Sequence, residues 1–254
     1  MTQQMDRDVS SSAAADAPDG ALINVIAVDR ADLTEFDSWY STEHFPERLA
    51  VSGFRTARRF VEHPDRGRQL AEFLSIYETD TVDTLTSAEY LAALNSPTPR
   101  TTAAVALFRE NERTVGRLRH RRGVGRTGDV LLGRITCTPD GADAIVRNLV
   151  DVARSIIDDG VADGVTIYES DPVATSAKDD TAEGQAVGDR RQASENESTV
   201  SLFVIVERRG SLEPAPVDSF IDTVSALGSP ARWSTYRLVS DQRATTPTTS
   251  REDS

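Results

Sequence analysis

Two periodicities of hydrophobic and polar positions alternate along the chain. Short apolar runs rich in β-branched residues predict strands at 21–30, 54–63, 70–79, 104–115, 129–138, 164–170, 198–209 and 232–240. Apolar residues spaced three and four apart predict helices, which begin after Asp32 and also cover 87–94, 141–160 and 217–228. The order β-α-β-β-α-β therefore occurs twice, starting at residues 21 and 129.

Each β-α-β-β-α-β half predicts a ferredoxin-like unit. Helices cover one face of such a sheet, and the other face must be covered as well. We therefore expect an α+β fold with two ferredoxin-like units in one chain, 21–118 and 129–240, whose sheets pair as an α/β barrel. A single chain would complete this pair as a monomer, and a homodimer is the open alternative.

Four segments fall outside the predicted core because they carry few large apolar residues and many charges. They are a disordered N-terminal tail at 1–20, a basic linker at 119–128, a disordered acidic insert at about 173–198 and a disordered C-terminal tail at 241–254.

Charge narrows the classes of partner. The net charge is −13, and most of it lies in the two tails and the insert, so the folded part is mildly acidic. Nucleic acids and anionic membranes attract positive surfaces, so neither is expected as a partner. No apolar run approaches the ~18 residues of a membrane helix, and no signal peptide is evident, which favours a cytoplasmic protein.

The stretch WYSTEHFPERLAVSGF, which begins at Trp39, concentrates the candidate chemistry. Helical spacing places Tyr40, Glu43 and His44 on the arc of the first helix that should face the sheet. Pro46 should end or kink that helix. An acid and an imidazole therefore lie among aromatic residues on the inward face, where a purely structural helix more often carries Leu and Ala.

The first hypothesis from this stretch is an enzyme, with a cleft for a small, partly aromatic molecule in the first unit. His44 would transfer a proton, and Glu43 would orient it or raise its pKa. The substrate-binding residues would be Trp39, Tyr40, Arg48 and Arg59. Isomerisation, cyclisation and cofactor-independent oxygenation would all use such groups.

Two other hypotheses remain open. One is a binding protein that uses the same cleft without catalysis. The other is a structural module, in which the helix dipole favours His44 near the helix C-terminus and Glu43 pairs with a nearby arginine.

Metal and cofactor chemistry have little support in the sequence. The chain has three histidines and one cysteine, so neither a multi-histidine nor a multi-cysteine metal site is expected. A lone His44 is weak evidence for a haem ligand, and phosphate-binding and nucleophile motifs are missing. No cofactor is therefore expected.

Several motifs in residues 21–118 occur in a fixed order: EFDSWYSTEHFPERLAVSGFRTARRF, LSIYE, LTSAEYLAALNSPTPRTTAAV and FRENERTV. They resemble an EthD-like family of the dimeric α/β-barrel superfamily. The family pattern falls on Trp39, Glu43, His44, Pro46, Glu47, Arg48, Leu49, Gly53, Phe54, Arg58 and Arg59.

The resemblance implies a ferredoxin-like fold with a cleft. Relatives in the superfamily include muconolactone isomerases, cofactor-independent antibiotic monooxygenases, polyketide cyclases and haem-dependent enzymes, which share a fold rather than a reaction. Ser52, Arg100 and Gly116 stand where the family usually has Pro, Trp and Tyr. The last two departures remove aromatic surface from the expected pocket.

Overall fold

The structure, a computed structural model, describes residues 17–63, 68–123, 128–187, 199–210, 214–225 and 231–245. Within these ranges eight strands run over Gly20–Asp29 (β1), Phe54–Glu62 (β2), Leu70–Thr79 (β3), Phe108–Gly123 (β4), Asp129–Cys137 (β5), Gly164–Ser170 (β6), Val200–Arg208 (β7) and Ala231–Arg243 (β8). They close into a barrel in the order β1-β3-β2-β8-β5-β7-β6-β4, and every neighbouring pair is antiparallel. Closure pairs each strand on both sides and removes exposed sheet edges.

Helices pack outside the barrel. They are Leu33–Trp39 (α1), Phe45–Leu49 (α2), Ala88–Leu94 (α3), Pro99–Val105 (α4), Pro139–Asp158 (α5), Pro172–Ser176 (α6), Ala182–Val187 (α7) and Pro214–Ser225 (α8). Three turns accompany them: the 3₁₀ turns Arg30–Asp32 and Val82–Thr86, and a π turn at Tyr40–His44. None of the helices in the described ranges is long and apolar enough to cross a membrane.

The predicted α+β class is confirmed, and the sheet is an eight-stranded closed antiparallel barrel. Strands β1 to β4, here called the first half, follow the order β4-β1-β3-β2. Strands β5 to β8, the second half, follow the order β8-β5-β7-β6.

Alternation along the strands separates three apolar layers. One set, including Ile23, Leu74 and Phe203, fills the barrel interior. The opposite face of the first half packs against α1 to α4 in a cluster rich in aromatic residues. The outer face of the second half packs mainly against α5 and α8 through aliphatic residues. The interior is thus a packed core, and the aromatic layer lies outside the barrel.

The end of the first half differs from its prediction. Residues 104–107 were expected to begin a strand, but they lie at the end of α4 and in the turn after it. The hydroxyl of Thr98 accepts a hydrogen bond from the backbone N–H of Thr101 at 3.0 Å, and Pro99 occupies the first turn. This capped start begins a further helix, α4, shortly after the helix predicted at 87–94.

The prediction of a basic linker at 119–128 is wrong for its first part. Residues up to Gly123 belong to β4 and pair with β6, while 124–127 lie outside the described residues. Two arginine residues of this stretch pair with carboxylates on other strands of the barrel. Arg121 donates a hydrogen bond to Glu78 on β3 at 2.5 Å, and Arg119 forms an ion pair with Glu169 on β6. Positive charge in this stretch therefore reflects cross-strand pairing rather than a solvated connection.

The disordered insert predicted at 173–198 is also wrong for its first part. Residues up to Val187 form α6 and α7, whose Ala174 and Val187 join the aromatic layer of the first half. Residues 188–198 lie outside the described residues. The prediction of a disordered C-terminal tail is wrong for residues 241–243, because β8 pairs with β2 as far as Arg243. The rest of that prediction from 246 to 254, and the predicted N-terminal tail from 1 to 16, lie outside the described residues.

Candidate functional site

The π turn controls which side chains of the first helical region face the sheet. In a regular α-helix, residues five apart lie about 140° apart around the axis. The wider π turn instead brings His44 against Trp39, with ring centroids 4.5 Å apart. Tyr40 and His44 are buried, as the inward arc of the sequence predicts, and so is Trp39, whereas Glu43, placed on the same arc, is half-buried. Such turns recur at functional sites in other proteins.

The carboxylate of Glu43 is used to hold α4. It accepts hydrogen bonds from the Thr98 hydroxyl and, at 3.1 Å, from the Thr101 hydroxyl. Thr101 in turn accepts the indole N–H of Trp39 at 3.1 Å. Among the described residues no hydrogen bond joins Glu43 to His44. Although the two are adjacent in sequence, the Glu43 side chain contacts α4, and the His44 side chain contacts aromatic rings.

The imidazole of His44 lies between aromatic rings and carries an unused polar atom. Tyr40 is 4.9 Å away and Tyr77 is 6.2 Å away, measured between ring centroids. Nδ1 of His44 is buried without a hydrogen-bond partner in the part of the chain that the structure describes. Burial, followed by the charge of Arg48, lowers the pKa of His44 well below its usual value, so the ring is neutral near pH 7.

Four residues form a polar row across the outer face of the first-half sheet. Asn24 on β1 lies opposite Arg113 on β4 and Ser75 on β3, and Ser75 lies opposite Arg59 on β2. Directly opposed residues point to the same face, so all four side chains emerge on the helix-covered side. The buried atoms in this row that lack a hydrogen-bond partner within the described ranges are Asn24 Oδ1, Ser75 Oγ, Arg59 Nε and Nη1, and Arg113 Nε and Nη2.

Two tyrosine hydroxyls complete this buried polar cluster. The hydroxyls of Tyr40 and Tyr77 are buried and lack hydrogen-bond partners among the described residues. Burial raises the pKa of Tyr40, and the neighbouring side chains of Ser75, Tyr77, Arg59 and Asn24 oppose that shift. Burial, and then Tyr40, raises the pKa of Tyr77. Both tyrosines therefore stay protonated and available as donors.

Arg48 is already neutralised by a partner from the second half. Its guanidinium forms a buried ion pair with Glu183 of α7, and Lys178 donates to the other oxygen of Glu183 at 2.8 Å. Arg48 also lies over the Tyr90 ring, 5.7 Å from its centroid. A residue predicted to hold a ligand oxyanion is thus committed to a protein carboxylate.

Arg59 keeps part of its donor capacity. One nitrogen, Nη2, donates to Asp37 at 2.6 Å, whereas Nε and Nη1 are the unpartnered atoms of the polar row. The guanidinium lies 4.8 Å from the centroid of the Tyr40 ring and 5.1 Å from that of Phe73. Of the two arginines predicted for ligand binding, Arg59 is the one with donors beside the aromatic rings that no described residue accepts.

Sequence reasoning singled out residues of the helical region and, within the sheet, Arg59, but it missed the other polar residues of the sheet. Asn24, Ser75 and Tyr77 are polar or amphipathic positions inside otherwise apolar strands, and this isolated polarity was their only signal. Arg113 lies in a charged stretch, where nothing distinguished it from the neighbouring arginine residues. Among the described residues no group of three or more His, Cys, Asp or Glu side chains is placed to hold a metal ion.

Comparisons with known proteins place the fold. No protein-family model and no curated protein sequence matches the chain. An anthrone oxidase-like protein aligns with a TM-score of 0.56 and 10% identity, over 91% of this chain and 96% of that one. A candidate monooxygenase from Fusobacterium nucleatum aligns with a TM-score of 0.51 and 8% identity, over 89% and 95%.

A third solved structure, more distant, is a ferredoxin-fold protein from Listeria monocytogenes related to antibiotic biosynthesis monooxygenases. It aligns with a TM-score of 0.41 and 6% identity, over 87% of this chain and 96% of that one. The first two alignments show that this chain shares its fold with an anthrone oxidase-like protein and a candidate monooxygenase. At such low identity the likeness shows the fold and not the reaction, and the EthD-like resemblance stays a prediction.

Proposed function

We propose that a small, partly aromatic molecule binds between the π turn and the outer face of the first-half sheet. The supporting observation is the buried polar cluster. Together with Nδ1 of His44, it contains nine buried polar atoms without hydrogen-bond partners within the described ranges, on the face of the sheet that the aromatic layer covers. A buried polar atom left unpaired costs about 1–3 kcal/mol, so native proteins usually supply it with a protein, water or ligand partner.

The same cluster suits proton transfer. A neutral, buried His44 can accept a proton, and the donors of Arg59 and Tyr77 would stabilise an oxyanion formed on the ligand. Trp39 and Tyr40 would form the aromatic walls. Isomerisation, cyclisation and cofactor-independent oxygenation would each begin with such a step.

Glu43 and Arg48 would act in this proposal by positioning. The hydrogen bonds of Glu43 to α4 fix the Trp39 side of the cleft, and the pairing of Arg48 with Glu183 fixes α2. These contacts also favour the structural hypothesis for both residues. A binding protein without catalysis is the alternative function, because the polar cluster could hold a ligand without using the basicity of His44.

We further propose that the chain consists of two ferredoxin-like units, with the first in the EthD-like group. The repeated strand order in the two halves supports the first point, and the motif around His44 supports the second. Because one chain closes the barrel by itself, a homodimer is not needed to cover the sheets.

Binding can be tested with 2-naphthol by NMR, using the two tryptophan indole signals. We expect 2-naphthol to shift the indole N–H signal of Trp39, which lies beside His44, and to leave that of Trp233 in the second half unchanged. The variant Trp233→Phe assigns the two signals. Equal small shifts at both indoles, or none at saturating probe, would contradict the proposed cleft.

Catalysis can be tested in D₂O with the same probe. A positioned imidazole should accelerate exchange of the carbon-bound hydrogen next to the hydroxyl of 2-naphthol, by about a hundredfold or more over buffer. The variant His44→Gln should keep binding within about threefold and lose the acceleration. Equal exchange rates in the two proteins would leave the binding function in place of the catalytic one.

A further inference from the structure

Arg113, on β4, contributes two side-chain donors to the buried polar cluster. Its Nε and Nη2 are both buried and lack hydrogen-bond partners within the described residues. These two nitrogens form one edge of the guanidinium plane, the edge that binds the two oxygens of a carboxylate in parallel. Arg113 lies next to Asn24 in the polar row, so this edge belongs to the same buried cluster.

The charge of Arg113 has no compensating carboxylate in the part of the chain that the structure describes. Among the described residues, none lies within salt-bridge distance of it, whereas the more deeply buried Arg48, Arg58 and Arg59 pair with Glu183, Glu207 and Asp37. A charge removed from water without a counterion is unfavourable unless a partner supplies the opposite charge. The partner best suited to these two donors of Arg113 is therefore an anion.

The second half orients this guanidinium. Arg113 Nη1 donates to the backbone carbonyl of Thr175 in α6 at 2.9 Å, and the Thr175 hydroxyl accepts the backbone N–H of Val115 at 2.9 Å. Thr175 thus occupies the third nitrogen of Arg113 and is itself fixed to β4. The remaining two nitrogens are left as a preorganised fork.

We infer that Arg113 binds a carboxylate of the ligand, so that the substrate class of the cleft is an aromatic carboxylic acid. The inference rests on the proposed function and names the class of molecule bound at that site. In this arrangement Arg113 and Asn24 hold the acid group at one end of the polar row. Arg59 and the aromatic residues around His44 contact the rest of the molecule.

The experiment compares 2-naphthoate with its uncharged analogue 2-naphthamide, by calorimetry and by the Trp39 indole signal. Wild-type protein should bind the carboxylate about tenfold to a hundredfold more tightly, the range expected for charge-assisted hydrogen bonds. Arg113→Met, which keeps the apolar stem, should reduce naphthoate affinity by that factor and leave naphthamide affinity within about threefold. Arg113→Lys keeps the positive charge but loses the paired donors of the guanidinium. It should therefore retain only part of the preference for naphthoate over naphthamide.

Arg208 offers a matched control. It is also half-buried and also donates through Nη1 to a backbone carbonyl, that of Val161 at 2.9 Å, but it lies in the second half. Arg208→Met should leave the preference for naphthoate unchanged. Should Arg113→Met not fold, the Arg113 Nε–H signal of wild-type protein gives the same answer, because naphthoate should shift it and naphthamide should not.

The outcomes separate the two proposals. Equal affinity of wild-type protein for naphthoate and naphthamide, with Trp39 shifted by both, overturns the role of Arg113 and retains the cleft. The same holds if Arg113→Met and Arg208→Met lower naphthoate affinity equally. Binding of neither probe overturns the cleft itself and with it the inference.

Discussion

Glu183 of α7 forms a buried ion pair with Arg48, although 135 residues separate them in the chain. Lys178, the single lysine of the protein, adds a second cation on the other carboxylate oxygen. Burial alone would raise the pKa of Glu183, but the charges of Lys178 and Arg48 outweigh it and hold that pKa well below its ordinary value. The second half thereby fixes the helical region that carries His44.

This ion pair predicts a large loss of stability on removing one charge. Glu183→Gln leaves Arg48 and Lys178 near each other without an anion, and we expect the free energy of unfolding to fall by about 3 kcal/mol. Urea denaturation followed by circular dichroism measures it.

The control is Asp151→Asn, which removes an exposed ion pair with Arg154 at 3.4 Å on the surface of α5. We expect a change below about 0.5 kcal/mol there. A similar small change in Glu183→Gln would mean that α7 does not support the π turn.

Glu43 should contribute to stability through α4. Replacing it by Gln removes charge-assisted hydrogen bonds from Thr98 and Thr101, at an expected cost of about 1–2 kcal/mol. Hydrogen exchange of the backbone amides in α4 should speed up, because Thr98 caps that helix. The exposed Asp151, which pairs with Arg154 at 3.4 Å on α5, supplies the control variant Asp151→Asn, for which α4 exchange should not change.

The helical elements around the π turn could be predicted because they depend on the spacing of apolar residues that are close together in the sequence. The spacing of Phe36, Trp39 and Tyr40 determines which face is buried, and these residues are 0 to 1% exposed. The predicted partnership of Glu43 with His44 relied on sequence adjacency, whereas the hydrogen bonds of Glu43 run to α4, 55 residues further along.

Composition wrongly predicted disorder for a segment that polar tertiary contacts hold in place instead of apolar burial. Residues 173–187 have few large apolar side chains, and their order depends on Glu183 meeting Arg48 and on Thr175 meeting Arg113. Neither contact is visible in a local window. The polar row likewise required the strand register, which aligns Asn24 and Ser75 only after the sheet has formed.

The low pKa of His44 predicts a pH-dependent contribution to stability. Burial and the charge of Arg48 keep the folded-state pKa well below 6.5, while the unfolded chain gains a proton near that value. The unfolded state therefore binds more protons below about pH 6.5, so the stabilisation is complete above that pH and is lost as the pH falls.

Wild-type protein should accordingly lose stability relative to His44→Gln between pH 6.5 and pH 5, by up to about 1.4 kcal/mol per pH unit. Urea denaturation of both proteins at several pH values measures the difference, in which acid effects common to the two cancel. Parallel stability curves would show that His44 titrates alike in both states.

The unpartnered hydroxyl of Tyr77 allows stability and ligand binding to be separated. Tyr77→Phe removes a buried donor that has no partner among the described residues, so the free protein should gain up to about 1–2 kcal/mol of stability or stay unchanged. The same variant should weaken 2-naphthol binding, because the protein no longer supplies the Tyr77 hydroxyl as a hydrogen-bond donor to the ligand.

Tyr236 is the matched buried tyrosine, since its hydroxyl donates to Glu72 at 2.6 Å. Tyr236→Phe leaves the buried carboxylate of Glu72 without this donor and should lower the free energy of unfolding by about 1–3 kcal/mol. The protein that remains folded should still bind 2-naphthol. Thermal unfolding and calorimetry measure both quantities for each variant. If Tyr77→Phe destabilises the free protein as much as Tyr236→Phe does, the Tyr77 hydroxyl already has a partner, and the buried polar cluster no longer argues for a ligand.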